Sequence, residues 1–143
     1  MNPISLLGCA LILAVFAHLG AEGVDWVYVE TDAVTGNEFY IKSAGDTRTP
    51  EDVVRVWIKT VVSDKYRDSL NKRYGLRDVQ KIKALWEYNC AARQMRLIAN
   101  EMLSSQGALY PSGPNENAKW DPIPPDSISE HFYRRLCPER DYK

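Results

Sequence analysis

The sequence predicts an α+β fold, with strands through most of the chain and a helix near its C-terminal end. Three observations carry that reading. Two alternating runs at 26–30 and 38–42 flank a glycine-containing loop. The stretch "VVRVWIKTVV" at 53–62 is dense in β-branched residues, which suit a pleated surface better than a helix. "SISEHFYRRLC" at 127–137 places apolar residues at helical spacing.

The chain opens with "ISLLGCALILAVFA" at 4–17, apolar apart from one Ser and uncharged. That is short for a membrane span, which needs about 20 apolar residues. Small residues follow in "HLGAEG". This is the shape of a secretory signal peptide, so residues 1–21 are expected to be removed and 22–143 to form a single domain. An uncleaved anchor is the alternative, and the segment "MNP" lacks the usual Lys or Arg. "LLGC" also resembles a lipoprotein-processing box around Cys9. Leu7 is large for that motif, and the apolar run continues past Cys9, so Cys9 reads as part of the signal. Membrane association is expected only through this segment or a lipidated Cys9. Its removal leaves Cys90 and Cys137, and an even cysteine count in an exported chain suggests a disulfide. The formal charge of −1 argues against a nucleic-acid partner.

In the first run Val27 and Val29 alternate with Trp26, Tyr28 and Glu30. In the second, Phe39 and Ile41 alternate with Glu38, Tyr40 and Lys42. With "DAVTGN" between them, these read as a hairpin. Along 53–62, Val54, Val56, Ile58 and Val62 share one face; Arg55, Trp57 and Lys59 share the other. The polar stretch 63–80 has room for a short helix ended by Gly75. Its Lys65, Arg67, Lys72, Arg73 and Arg77 read either as an anion-binding patch or as a solvated connector.

Residues 80–103 are ambiguous. As one helix they scatter apolar side chains around the axis. As two strands, Ala84, Trp86, Tyr88 and Cys90 share a face, as do Met95, Leu97, Ala99 and Leu103. The intervening "CAAR" lacks the usual turn residues, so pattern alone leaves both assignments open. The turn-rich stretch 104–126 leaves room for short edge strands on either side of Tyr110. In 127–137, Ser127 and Glu130 fit a capping box, and Ile128, Phe132 and Leu136 form an apolar stripe. Arg134 and Arg135 suit the C-terminal end of the dipole, and Pro138 stops the helix.

Taken in order, "DWVYV", "EFYI", "VRVWIK", "LWEYNCAARQMRLI" and "WDPIPPDSISEHFYRRLC" resemble the bacterial surface-adhesin protein E family. The resemblance implies an antiparallel sheet of about five to six strands with the C-terminal helix packed on one face. It implies strand–turn–strand for 80–103 and a disulfide from Cys90 to Cys137. It also implies export to the periplasm, outer membrane or surface of a bacterium. Members of the family adhere to host matrix and plasma proteins, and dimers occur. The basic connector 63–78 and the tail "PERDYK" depart from the pattern.

No catalytic constellation is visible. His131 is the only histidine beyond the signal and has no positioned nucleophile beside it in sequence. One His and two distant Cys do not suggest a metal site, and there is no phosphate loop or nucleophile elbow. A non-enzymatic protein without cofactor is therefore expected. The unusual feature is aromatic: Trp26, Tyr28, Tyr40, Trp57, Trp86 and Tyr88 all fall in strands. Trp57 with Arg55 and Lys59, joined by Trp26, Tyr28 and Tyr40, makes a candidate interface for a protein partner or a second copy of the chain. The competing reading of these rings is burial under the C-terminal helix. Against an adhesin-like binding role stand a periplasmic structural or assembly factor and a small-ligand carrier using an aromatic sheet face.

Overall fold

The computed structural model describes residues 26–43, 49–108 and 113–138. The expected signal segment, Cys9 and most of the "PERDYK" tail lie outside the described residues. The elements run β1 (Val27–Thr31), β2 (Glu38–Ser43), β3 (Val53–Val61), α1 (Asp64–Tyr74), β4 (Lys81–Asn89), β5 (Gln94–Ser104), β6 (Gly107–Ala108), β7 (Asp121–Pro122) and α2 (Ile128–Leu136). One antiparallel sheet has the order β1-β2-β3-β4-β5-β6, with β7 pairing β5. The short strands β6 and β7 fall before and after Tyr110, as the sequence allows.

Cross-strand partners share a face, so the register assigns each side chain to a side. Val54, Val56 and Ile58 of β3 stand opposite Tyr88, Trp86 and Ala84 of β4. With Ile41 and Phe39 of β2 they form an apolar side, and both helices lie on it. Toward one end, Phe132 is 2% exposed and packs with Val56, Ile58, Tyr88 and Cys137, with Ile128 and Leu136 at the margin. Phe132 meets Phe39 edge-on, with ring centroids 5.8 Å apart. At the other end Leu70 of α1 packs with Val62, Val79, Ile82 and Met102.

Two bulges alter the simple alternation. In β5, Leu97 opposes Trp86 while Ala99 opposes Leu85, so Ile98 is the extra residue. Met95 and Leu97 therefore face the helices, whereas Ala99 and Leu103 face away, which corrects the single face read from the sequence. In β1, Tyr28 opposes Tyr40 while Glu30 opposes Phe39, with Val29 the extra residue. Glu30 thus leaves the face of Trp26 and Tyr28 and turns toward α2, where it meets His131 Nδ1 at 2.7 Å.

The turn at 90–93 is built without glycine. Asn89 Oδ1 accepts from the Ala92 amide at 2.9 Å, and Arg93 takes a left-handed conformation at φ 53°. Such a residue costs about 1 kcal/mol. Arg93 offsets this by donating to Glu130 at 3.1 Å and stacking over Tyr133 at 5.0 Å. Helix α1 ends as expected at Gly75, whose φ of 67° lets its amide close on Asn71 O at 2.9 Å.

Helix α2 begins on Ser127, whose hydroxyl accepts from the Glu130 amide at 3.2 Å. The return bond of the capping box goes one residue further back, from the Asp126 amide to Glu130 Oε2 at 2.9 Å. That amide, with Arg134 and Arg93 beside it, holds the Glu130 carboxyl below its ordinary range. Cys137 caps the other end and is joined to Cys90 by a disulfide. Tyr133 adds a hydroxyl bond to Cys90 O at 2.8 Å.

Candidate functional site

The register gathers all six candidate interface residues on the side of the sheet that faces away from both helices. Arg55, Trp57 and Lys59 alternate along β3 away from the helices. Lys42 stands opposite Trp57, and Tyr40 opposite Lys59. Tyr28 stands opposite Tyr40, and Lys59 Nζ lies 4.3 Å from the Tyr40 ring centre and 4.9 Å from that of Trp26. Tyr28 and Tyr40 pack edge-on at 5.6 Å. Trp86 and Tyr88, by contrast, lie on the helix side. Burial under the helix therefore accounts for those two rings and not for Trp26, Tyr28, Tyr40 and Trp57.

Exposure within the group is graded. Tyr28, on the edge strand, is 51% exposed, while Trp26, Tyr40, Trp57 and Lys59 are half-buried. Arg55 is committed to internal structure. Its Nε donates to Glu87 Oε1 at 2.9 Å, and its Nη2 reaches Glu116 Oε2 at 2.8 Å. On the other side of Glu87, Arg96 Nε donates to Oε2 at 2.7 Å. Arg96 also donates to the carbonyls of Glu116 and Ala118 and stacks 4.5 Å over Trp120. The row Arg55–Glu87–Arg96 thus fastens the segment 113–120 onto this end of the face. Gly113 lets the segment come close: a Cβ there would sit 2.5 Å from Ile98 O, and its φ of 93° is one L side chains rarely adopt.

The sequence reading missed Glu87, Arg96, Glu116 and Trp120. Glu87 carries a signal in hindsight, because it alternates with Trp86 and Tyr88 and is only 4% exposed. Glu116 and Trp120 come from a turn-rich stretch without periodicity, so nothing local announces them. Lys81 and Lys83 also face away from the helices, with Lys83 directly opposite Lys59.

On the helix side, a cleft of about 210 Å³ remains between sheet and α2, lined chiefly by Phe39, Ile58, Trp86, Leu97, Ile128 and Phe132. His131 is half exposed and engaged with Glu30, so it joins α2 to the edge strand. Among the described residues, no group of three or more His, Cys, Asp or Glu is placed to hold a metal ion, and no helix is long and apolar enough to cross a membrane.

No curated protein and no solved structure matches the chain at a significant level. The family described as surface-adhesin protein E matches residues 26–138, which takes in every described strand and both helices. The antiparallel sheet, the C-terminal helix laid on one side and the Cys90–Cys137 bridge are the features expected from the resemblance, and the chain belongs to the surface-adhesin protein E family.

Proposed function

We propose that this protein is an exported, non-enzymatic adhesin-like protein that binds a host matrix or plasma protein through the sheet face turned away from the helices. One observation carries the reading: Trp26, Tyr28, Tyr40 and Trp57 share that face with cations, while α1 and α2 occupy the opposite side. Aromatic rings with a charged rim are the composition of binding hot spots. Tyr28 is the anchor of choice because half of it already faces water, so removing it costs the fold little. Tyr28→Ala is expected to weaken capture of an immobilised matrix or plasma protein by roughly thirtyfold, about 2 kcal/mol, with a shift in melting of no more than about 2 °C. Unchanged capture by both Tyr28→Ala and Trp57→Ala would remove this face from the proposal. Protease shaving of intact cells checks the location, because a periplasmic structural or assembly factor would be protected.

The cleft beside α2 supports a second reading, that of a small-ligand carrier. Its volume of about 210 Å³ falls below the roughly 300–1,000 Å³ of most ligand pockets, which ranks it behind a protein partner.

A further inference from the structure

Two separate apolar clusters hold the helices to the sheet, and the seam between them is not filled. Helix α2 packs through Phe132 with Val56, Ile58 and Tyr88, whereas α1 packs through Leu70 with Val62 and Val79. Along β4, Tyr88 and Trp86 belong to the first cluster and Ile82 to the second. Ala84 lies between them. Its cross-strand partners are Ile58 and Asn100. All of these neighbours are larger, so the single methyl of Ala84 is the low point of the floor. The cleft of about 210 Å³ lies over it, with Ile128, Ser129 and Phe132 of α2 along one side.

The lining narrows the ligand. No charged side chain is among the described residues around the cleft. An ionised group entering it would lose water without gaining a counter-charge. Phe39, Trp86 and Phe132 supply aromatic surface, and Phe39 and Phe132 already meet edge-on at 5.8 Å, an arrangement that a further ring can extend. Size sets the upper limit. A dry apolar cavity of about 150 Å³ accepts benzene, so this one takes a single ring with a small substituent. Thr60 stands between Phe39 and Ile82 in the register, and among the described residues its hydroxyl forms no hydrogen bond. That hydroxyl is placed to meet one polar group. We propose that the cleft over Ala84 binds an uncharged single-ring molecule with one hydrogen-bonding substituent, the chemistry of a phenol, with Thr60 as its polar contact. This deepens the small-ligand reading of the cleft and rests on it. It is independent of the opposite sheet face that carries Tyr28 and Trp57.

The test is calorimetric titration of the purified oxidised protein with p-cresol, beside toluene, benzoate and decanol. Saturable p-cresol binding is expected with a Kd below about 1 mM, and benzoate is expected to bind at least tenfold more weakly. Ala84→Leu fills the low point and is expected to weaken p-cresol at least tenfold. Ala92→Leu adds the same atoms at an exposed turn position and is expected to stay within twofold of the parent. Thr60→Val keeps the shape and removes the hydroxyl, so p-cresol should weaken roughly fivefold while toluene stays within twofold. Methyl spectra of the unmodified protein locate the probe whether or not a variant folds: Ile58, Ile82 and Leu97 should shift with p-cresol, and Leu70 should not. Shifts elsewhere would overturn the site, as would equal losses in Ala84→Leu and Ala92→Leu. Tighter binding of decanol, lost in Ala84→Leu, would strike the ring assignment and leave the small-ligand reading standing. Absent binding of all four probes would strike both.

Discussion

Glu87 is buried to within 4% of full enclosure, and both its carboxylate oxygens are claimed by guanidinium groups. A lone carboxylate there would be costly to desolvate, so the row Arg55–Glu87–Arg96 stands or falls as a unit. Removing one partner of a buried pair costs roughly 3–5 kcal/mol. Glu87→Ala is expected near the lower end of that range, because the side chains of Arg55 and Arg96 are 35% and 18% exposed and can turn to water. Urea unfolding would measure the loss. Hydrogen exchange should show that the segment 113–120, held by Arg55 and Arg96, opens before the sheet does. A loss under about 1 kcal/mol would mean that the segment is fastened by its other contacts.

Helix α2 has nine residues, and a free helix of that length is marginal in water. Its docking depends on Phe132, the Ser127 cap and the bridge to Cys90. Constraining the loop between Cys90 and Cys137 is worth about 4 kcal/mol in the chain-entropy treatment. A Cys137→Ser variant should lose amide protection across 128–136 under conditions where β3 and β4 keep theirs. Simultaneous loss would make helix and sheet one cooperative unit. Strand β3 and helix α2 were legible because burial imposes a period on them: Val54, Val56 and Ile58 two apart, Ile128, Phe132 and Leu136 four apart; β4 and β5 stayed open on pattern alone and were read as strands only through the family resemblance. Gly75 was legible because a left-handed cap favours a residue without Cβ. The bulges at Val29 and Ile98 left no mark, since an extra residue in a ladder needs no special side chain. The turn at Arg93 was equally silent, because its strain is compensated by Glu130 and Tyr133 from a distant helix. The six interface candidates could be listed from alternation alone. Their meeting on one face depended on pairings between strands, which no single run of sequence encodes.

The whole molecule is a meander in which neighbours in sequence are neighbours in space, apart from the return of β7 and α2. Its two sides have different work. One is closed by helices and holds the apolar interior, and the other presents rings and lysines on paired strands that cannot easily shift. In the adhesin-like role proposed above the chain would be put under tension, and the bridge decides how it is transmitted. A force applied between residues near 26 and near 138 runs through β1, β2, β3, α1 and β4 to Cys90. There it crosses directly to Cys137, whose Cα is 5.5 Å away. The intervening stretch, a sequence separation of 47, is a slack loop in the mechanical circuit. Strands β5, β6 and β7 and helix α2 bear no load, and their chain cannot be paid out. Stretched from those two ends, the oxidised protein should reach an unfolded length shorter than the reduced one by roughly 160 Å. Equal lengths in single-molecule traces would place the load elsewhere. The bond that holds a nine-residue helix in place thereby also acts as a stop on how far the protein can be drawn out.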